Sequence, residues 1–389
     1  MGFNTVAVHG GLKDEGKKGV NYPVYLSSTF VQPDTEHEGE YCYTRGNNPT
    51  RASVEKLAAD VEGAKYALAT ASGMAATSLV FELLNKGDKV LINDNVYGGT
   101  WRFVSNLFEK RGLEFEVVND FNEYDFSKAD DNVKMVFVET PSNPLLEVTD
   151  IRRVVDEAHK RNILVVVDNT FMTAYLQKPL DLGADIVEYS ATKYYAGHSD
   201  LLAGLVVLND EEIYKRLKFI SNTLGGILDP FDSFLLQRGI KTLGVRMDRH
   251  LENAQKVAEF LEGNDAVEEV FYPGLKNHKG YELQKSQAKG AGAVVSFKLN
   301  EKEYDLHSFV ENLHLFDFAV SLGGVESLIC RPSTMTHESY TKELQEKIGI
   351  TPNLLRLSVG IEEAEDLIED LKNAFEKSRK DNLFWRNEI

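Results

Sequence analysis

Between residues 46 and 243, short apolar runs alternate with segments patterned as helices, and this alternation narrows the fold more than any other feature. The runs at 89–93, 115–118, 135–139, 163–168, 186–189 and 205–208 lack strict apolar–polar alternation. Strands buried on both faces read this way. Helical patterns separate them at 51–62, 73–85, 99–110, 151–161 and 211–219. Strands alternating with helices imply an α/β fold whose sheet is mostly parallel and covered by helices.

The flanks read differently. Residues 1–45 are rich in Gly, Ser, Thr and Tyr with little periodicity, and an extended arm is expected there. From 244 a long helical stretch reaches about 262. An irregular Tyr272-Pro273-Gly274 turn follows, then strands at 294–299 and 354–359 and an amphipathic helix from about 363. This reads as a smaller α+β domain. The expected division is an arm over 1–45, an α/β domain over 46–243 and an α+β domain over 244–389. A chain of 389 residues has room for two or three such units.

Composition removes several classes of function. The formal charge of −18 argues against binding nucleic acid or an anionic membrane through bulk charge, but leaves local anion pockets open. Cys42 and Cys330 lie in different halves without metal-ligand spacing. No metal is expected, and a reducing, cytoplasmic setting is. No basic region followed by an apolar run opens the chain, so no signal peptide is expected. No apolar stretch approaches the roughly 18 residues of a membrane span.

The chemistry is concentrated where strands end. Tyr189-Ser190-Ala191-Thr192-Lys193 closes the run at 186–189. A lysine at the end of a buried strand is costly unless it is used. Flanked by two hydroxyl residues, it suits a Schiff-base lysine beside a phosphate cradle. Asp168 ends the run at 163–168, in the same sheet. A carboxylate there suits the ring nitrogen of pyridoxal 5′-phosphate (PLP), keeping it protonated so that the ring accepts electrons. Ser72-Gly73-Met74 opens a helix and offers free N–H groups to a phosphate. Tyr97, in Tyr97-Gly98-Gly99, can stack on a planar cofactor. Arg45, beside Tyr43 in the arm, suits a phosphate, and arms often complete a neighbouring subunit's site. Arg356 interrupts an apolar strand and needs an anion, such as a substrate carboxylate. Each residue has a plainer role in competition: a helix cap for Gly73 and Asp168, a loop closure for Tyr97, a turn for Tyr43 and Arg45, a surface position for Lys193, an internal ion pair for Arg356.

The whole chain resembles the cystathionine γ-synthase-like family of Cys/Met-metabolism PLP enzymes, of PLP fold type I. The blocks that carry the resemblance include Tyr43-Thr44-Arg45, Ser72-Gly73-Met74-Ala75, Tyr97-Gly98-Gly99-Thr100 and Glu139-Thr140-Pro141-Ser142-Asn143-Pro144. They continue with Asp168-Asn169-Thr170-Phe171, Ser190-Ala191-Thr192-Lys193, Ser321-Leu322-Gly323-Gly324, Met335-Thr336-His337 and Arg356-Leu357-Ser358-Val359-Gly360. The resemblance implies that Lys193 bonds the cofactor and Asp168 partners its ring nitrogen. Gly73, Met74, Ser190 and Thr192 would bind the phosphate, with Tyr43 and Arg45 reaching the phosphate of the adjacent subunit. Tyr97 would stack on the ring and assist proton transfer. Asn143, Ser321 and Arg356 would hold the substrate carboxylate. A homo-oligomer follows, in this family usually a tetramer.

Departures from the family pattern bear on the substrate. Synthases and γ-lyases usually carry Glu just before the Ser of the S-L-G-G block, where this chain has Val320. Glu is also frequent before the arm tyrosine, where Cys42 stands. Methionine γ-lyases usually have Cys where Gly99 stands, although Met335-Thr336-His337-Glu338-Ser339-Tyr340 resembles their ending. Ser221-Asn222-Thr223-Leu224-Gly225-Gly226 looks like the cystathionine-lyase branch. The expectation is a PLP-dependent C–S lyase acting by γ- or β-elimination on cystathionine. The alternatives are a methionine or homocysteine γ-lyase, a cystathionine γ-synthase and a non-catalytic PLP carrier. A nicotinamide oxidoreductase is disfavoured because no G-x-G-x-x-G follows the first strand.

Overall fold

The computed structural model describes residues 1–384. Its larger sheet contains β1 (Tyr66–Thr70), β2 (Lys89–Asn93), β3 (Glu114–Val118), β4 (Val133–Glu139), β5 (Leu164–Asp168), β6 (Ile186–Ser190) and β7 (Gly204–Leu208). The spatial order is β1-β7-β6-β5-β4-β2-β3. β2 to β6 form a parallel array, and β7 runs antiparallel to both β6 and β1. Valine dominates β4 and β5, and Val136, Val138, Val165 and Val167 are fully buried between the covering helices. β1 lies outside the expected strands. It has two alanines and no β-branched residue before Thr70, so pairing with β7 and burial decide its state rather than propensity.

The N-terminal segment is not wholly extended. Phe3, Val6 and Ala7 line one face of a short helix, α1 (Phe3–His9). It packs on α2 (Pro49–Glu62) and on the Leu243–Glu262 helix, with Ala7 fully buried. The arm expected over 1–45 is thus anchored at its start. Its later side chains reach outward: Val20 and Val31 are fully exposed and Leu26 largely so.

α2 begins at Pro49, where the Asn48 side chain accepts the Thr50 and Arg51 N–H groups, and stops at Gly63, whose φ of +76° suits a residue without Cβ. α3 (Gly73–Phe81), α4 (Gly98–Arg111) and α5 (Ile151–His159) follow β1, β2 and β4. A second, smaller sheet contains β8 (Val267–Phe271), β9 (Val294–Leu299), β10 (Asp317–Phe318), β11 (Leu328–Cys330) and β12 (Leu354–Ser358), in the order β10-β11-β12-β9-β8. Arg356 sits mid-strand on β12, opposite Cys330 of β11 and Ser296 of β9. A parallel sheet binds ligands beyond the carboxyl ends of its strands. Here those ends, with the starts of α3 and α4, face Arg356 and the loop before β11 across one cavity.

Candidate active site

The cavity encloses about 720 Å³. Eleven of the thirteen residues singled out from sequence line it: Gly73, Met74, Tyr97, Asn143, Asp168, Ser190, Thr192, Lys193, Val320, Ser321 and Arg356. Tyr43 and Arg45 lie outside it. Arg45 donates from Nε to Asn222 Oδ1 at 3.3 Å, and its guanidinium stands 5.4 Å from the centre of the half-exposed Tyr43 ring.

Lys193 follows β6 by three residues, and its Nζ donates to Ser321 Oγ at 2.8 Å. Burial, with the Arg356 charge nearby, brings its ammonium down to about 8. Ser321 has a φ of +98°, an uncommon conformation for a residue with a side chain. Arg356 supports it, donating from Nη2 to the Ser321 carbonyl at 2.9 Å and from Nη1 to Asn143 Oδ1 at 2.9 Å. Both partners are neutral, and the buried Nε has no partner at all. The cation is therefore held in place without being neutralised, which suits a carboxylate arriving from outside.

At the other end, Ser72 caps α3 by accepting the Ala75 N–H, leaving the Gly73 and Met74 amides without hydrogen-bond partners among the described residues. A Cβ on Gly73 would come within 2.7 Å of the Ser190 Cβ, so only glycine lets α3 lie so close to the end of β6. The Thr192 hydroxyl is bonded to the Ala203 backbone and fixes the loop instead. Tyr97 stands at the mouth, 43% exposed, with its N–H donated to Glu139 at 2.7 Å. A Cβ on Gly99 would lie 2.4 Å from the Tyr97 ring, so the absence of a side chain there gives that ring its place.

Three acids form a transverse row across the strand ends. Glu139 of β4 is in register with Asp168 of β5, and Asp168 with Glu188 of β6. Burial raises the proton affinity of all three. For Glu139 and Glu188 the neighbouring Asp168 adds to it. Asp168 accepts the Thr170 N–H at 3.0 Å, which favours its charged form. Glu139 and Glu188 are site residues that sequence reasoning passed over, as are Arg102 and Glu338 in the outer wall. Only the strand registers, which the sequence does not carry, bring the two buried acids beside Asp168.

PLP fits this donor set. Two free amides at a helix start meet a phosphate, an acid lies at the far side of the cavity wall, and an amine with depressed basicity stands between them and a buried arginine. A mostly parallel seven-stranded sheet with this site on its carboxyl edge and a smaller second sheet defines a PLP-dependent enzyme of fold type I. The chain belongs to the Cys/Met metabolism PLP-dependent enzyme family, whose model matches residues 4–376. It is 49% identical over 377 residues to a cystathionine beta-lyase of Lactococcus lactis subsp. cremoris, covering 96% of this chain and 99% of that one. It is 46% identical over 378 residues to a cystathionine gamma-lyase of Bacillus subtilis (strain 168), covering 97% and 100%. A crystal structure of cystathionine gamma synthase from Xanthomonas oryzae pv. oryzae in complex with cystathionine superposes with a TM-score of 0.94 at 42% identity, over 97% of this chain and 98% of that one.

Proposed function

We propose that this PLP-dependent carbon–sulfur lyase cleaves L-cystathionine, and that the carrying observation is the linked set Lys193–Ser321–Arg356–Asn143. It joins a potential base to a carboxylate clamp through two hydrogen bonds. PLP supplies the electron sink that makes the substrate Cα–H acidic. Lys193 Nζ takes that proton. Arg356, with Asn143 and Ser321, holds the α-carboxylate so that the Cα–H faces Nζ. Gly73, Met74 and Ser190 would form the phosphate end, with Thr192 bracing the loop beside them, and Asp168 would hold a negative charge toward the ring nitrogen. The Tyr97 hydroxyl delivers a proton to the departing sulfur. In β-elimination, homocysteine leaves and the remainder hydrolyses to pyruvate and ammonia. In γ-elimination a Cβ proton is lost as well, cysteine leaves, and 2-oxobutanoate and ammonia result.

The outer wall supports the cystathionine reading over a smaller thioether. Arg102 and Glu338 offer a cation and an anion to a distal amino-acid head, where Val320, 57% exposed, offers only an apolar surface. Val320 favours the second reading, a methionine or homocysteine γ-lyase. Incubation with L-cystathionine followed by mass spectrometry of the keto acid separates these. Either 2-oxobutanoate with cysteine or pyruvate with homocysteine is the expected pair. Consumption of methionine or homocysteine alone rejects the cystathionine reading. Tyr97→Phe is expected to lower kcat by about 10²-fold with little change in KM, the size of a lost general acid. Full turnover by that variant removes the role.

The same proposal includes the assembly. The exposed arm, with Tyr43 and Arg45 outside their own cavity, suits a homo-oligomer, a tetramer of paired subunits, in which they reach a neighbour's phosphate. Two unpaired cysteines suit the cytoplasm. Among the described residues no helix is long and apolar enough to cross a membrane.

A further inference from the structure

Glu188 is a fully buried acid in the cavity wall that the mechanism above does not use. Three features of its surroundings bear on its protonation. First, Thr77 Oγ1 lies 3.1 Å from the Gly73 carbonyl and 2.9 Å from Glu188 Oε1. A hydroxyl has one hydrogen. If Thr77 donates to Gly73, the contact with Glu188 is a hydrogen bond only when Glu188 is the donor. Second, Glu188 Oε2 is buried without a partner, a costly place for an ionised oxygen. Third, among the described residues no cation is hydrogen-bonded or ion-paired to it. Its neighbours in the row are the acids Asp168 on β5 and, beyond it, Glu139 on β4. Its register partner on β7 is Val206, and α3 presents the Thr77 hydroxyl.

We propose that Glu188 is a positioning residue for the cofactor that acts as a neutral carboxylic acid beside Asp168, tying the Asp168 side of the site to the phosphate-facing start of α3 through Thr77. Thr77 bonds the Gly73 carbonyl, so the contact fixes both ends of the cofactor site against one another. The assignment rests on PLP binding and not on which substrate is cleaved.

The test uses Glu188→Gln and Glu188→Leu in the full-length holoenzyme, with PLP affinity and the pH titration of the bound cofactor's visible absorbance as readouts. Glutamine keeps a donor toward Thr77 and stays uncharged at every pH. Glu188→Gln should therefore keep PLP affinity within about threefold of wild type, whereas Glu188→Leu should weaken it about tenfold, the size of one lost buried hydrogen bond. Wild type should also show an alkaline spectral transition, from ionisation of Glu188 beside Asp168, that is missing in Glu188→Gln. If the glutamine variant loses affinity as the leucine variant does, the group acts as an anion and the proposal is overturned. A leucine variant with wild-type affinity and titration overturns it as well. Should the leucine variant not fold, Thr77→Val breaks the same contact: an approximately tenfold weaker affinity supports the link, and an unchanged one rejects it.

Discussion

Lys193→Ala is expected to lower kcat/KM on L-cystathionine by at least about 10³-fold, because on the proposed mechanism one atom serves both the cofactor bond and the proton from Cα. The structural ground is the depressed basicity of its amine. At about 8, roughly a tenth of Lys193 is free base at pH 7, against roughly one in 2,500 for an ordinary lysine. Only the free base attacks an aldehyde. Capture of PLP by the apo-enzyme should therefore accelerate as pH rises toward 8 and level off above it. Lys193→Arg is expected to fail with Lys193→Ala, since a guanidinium stays protonated. The fold should survive either change. At neutral pH the buried ammonium is less stable in the folded chain than in water, so removing it relieves a desolvation cost. The apo-variant should melt no lower than the apo wild type. Steady-state kinetics, stopped-flow PLP capture against pH and borohydride labelling with peptide mapping check these points. Label retained at another residue in the alanine variant, or turnover within tenfold of wild type, ends the assignment.

The parts of this molecule legible in the sequence are those decided locally. β2, β4 and β5 are rich in apolar residues, valine above all in β4 and β5, and the observed strands match the expected runs within two residues at either end. Gly73, Tyr97, Asp168, Ser190 and Lys193 stand at or just beyond strand ends or at helix starts, and Arg356 interrupts an apolar strand, places where the type of residue is itself unusual. What escaped notice depends on partners distant in the chain. β1 becomes a strand because β7 pairs with it, and α1 forms because α2 and the Leu243–Glu262 helix cover its apolar face. Glu139 and Glu188 read as polar punctuation in apolar runs. Only the registers β4–β5 and β5–β6 bring them to Asp168. Thr77 is one threonine in an apolar helix until β6 arrives beneath it. The arm is the converse case. Tyr43 and Arg45 carry a clear motif, yet they lie outside the cavity of their own chain.

Arg356→Leu is expected to lower kcat/KM by about 10²–10³-fold, mostly through KM, while leaving the stability of the folded chain intact or raised. The two halves of that expectation come from one observation. A buried guanidinium normally has a carboxylate beside it, and truncating such a pair costs about 2–5 kcal/mol. Arg356 has only the Asn143 amide oxygen and the Ser321 carbonyl, both neutral. The folded chain thus holds a charge with no direct ionic partner, and on the proposed reading a substrate carboxylate supplies one on binding. Leucine removes the cost of the empty state and the gain of the bound one together. Arg356→Lys should recover little, because an ammonium does not reproduce the planar fork that reaches Asn143 and Ser321 at once. A decarboxylated substrate analogue isolates the term. It should be a poor substrate for wild type and about equally poor for Arg356→Leu, since the arginine has nothing to grip in either case. If the analogue instead loses as much as the amino acid does in going from wild type to variant, the arginine acts by holding Ser321 in its positive-φ conformation. A drop in apo melting temperature points the same way, to a structural cation and not a carboxylate site.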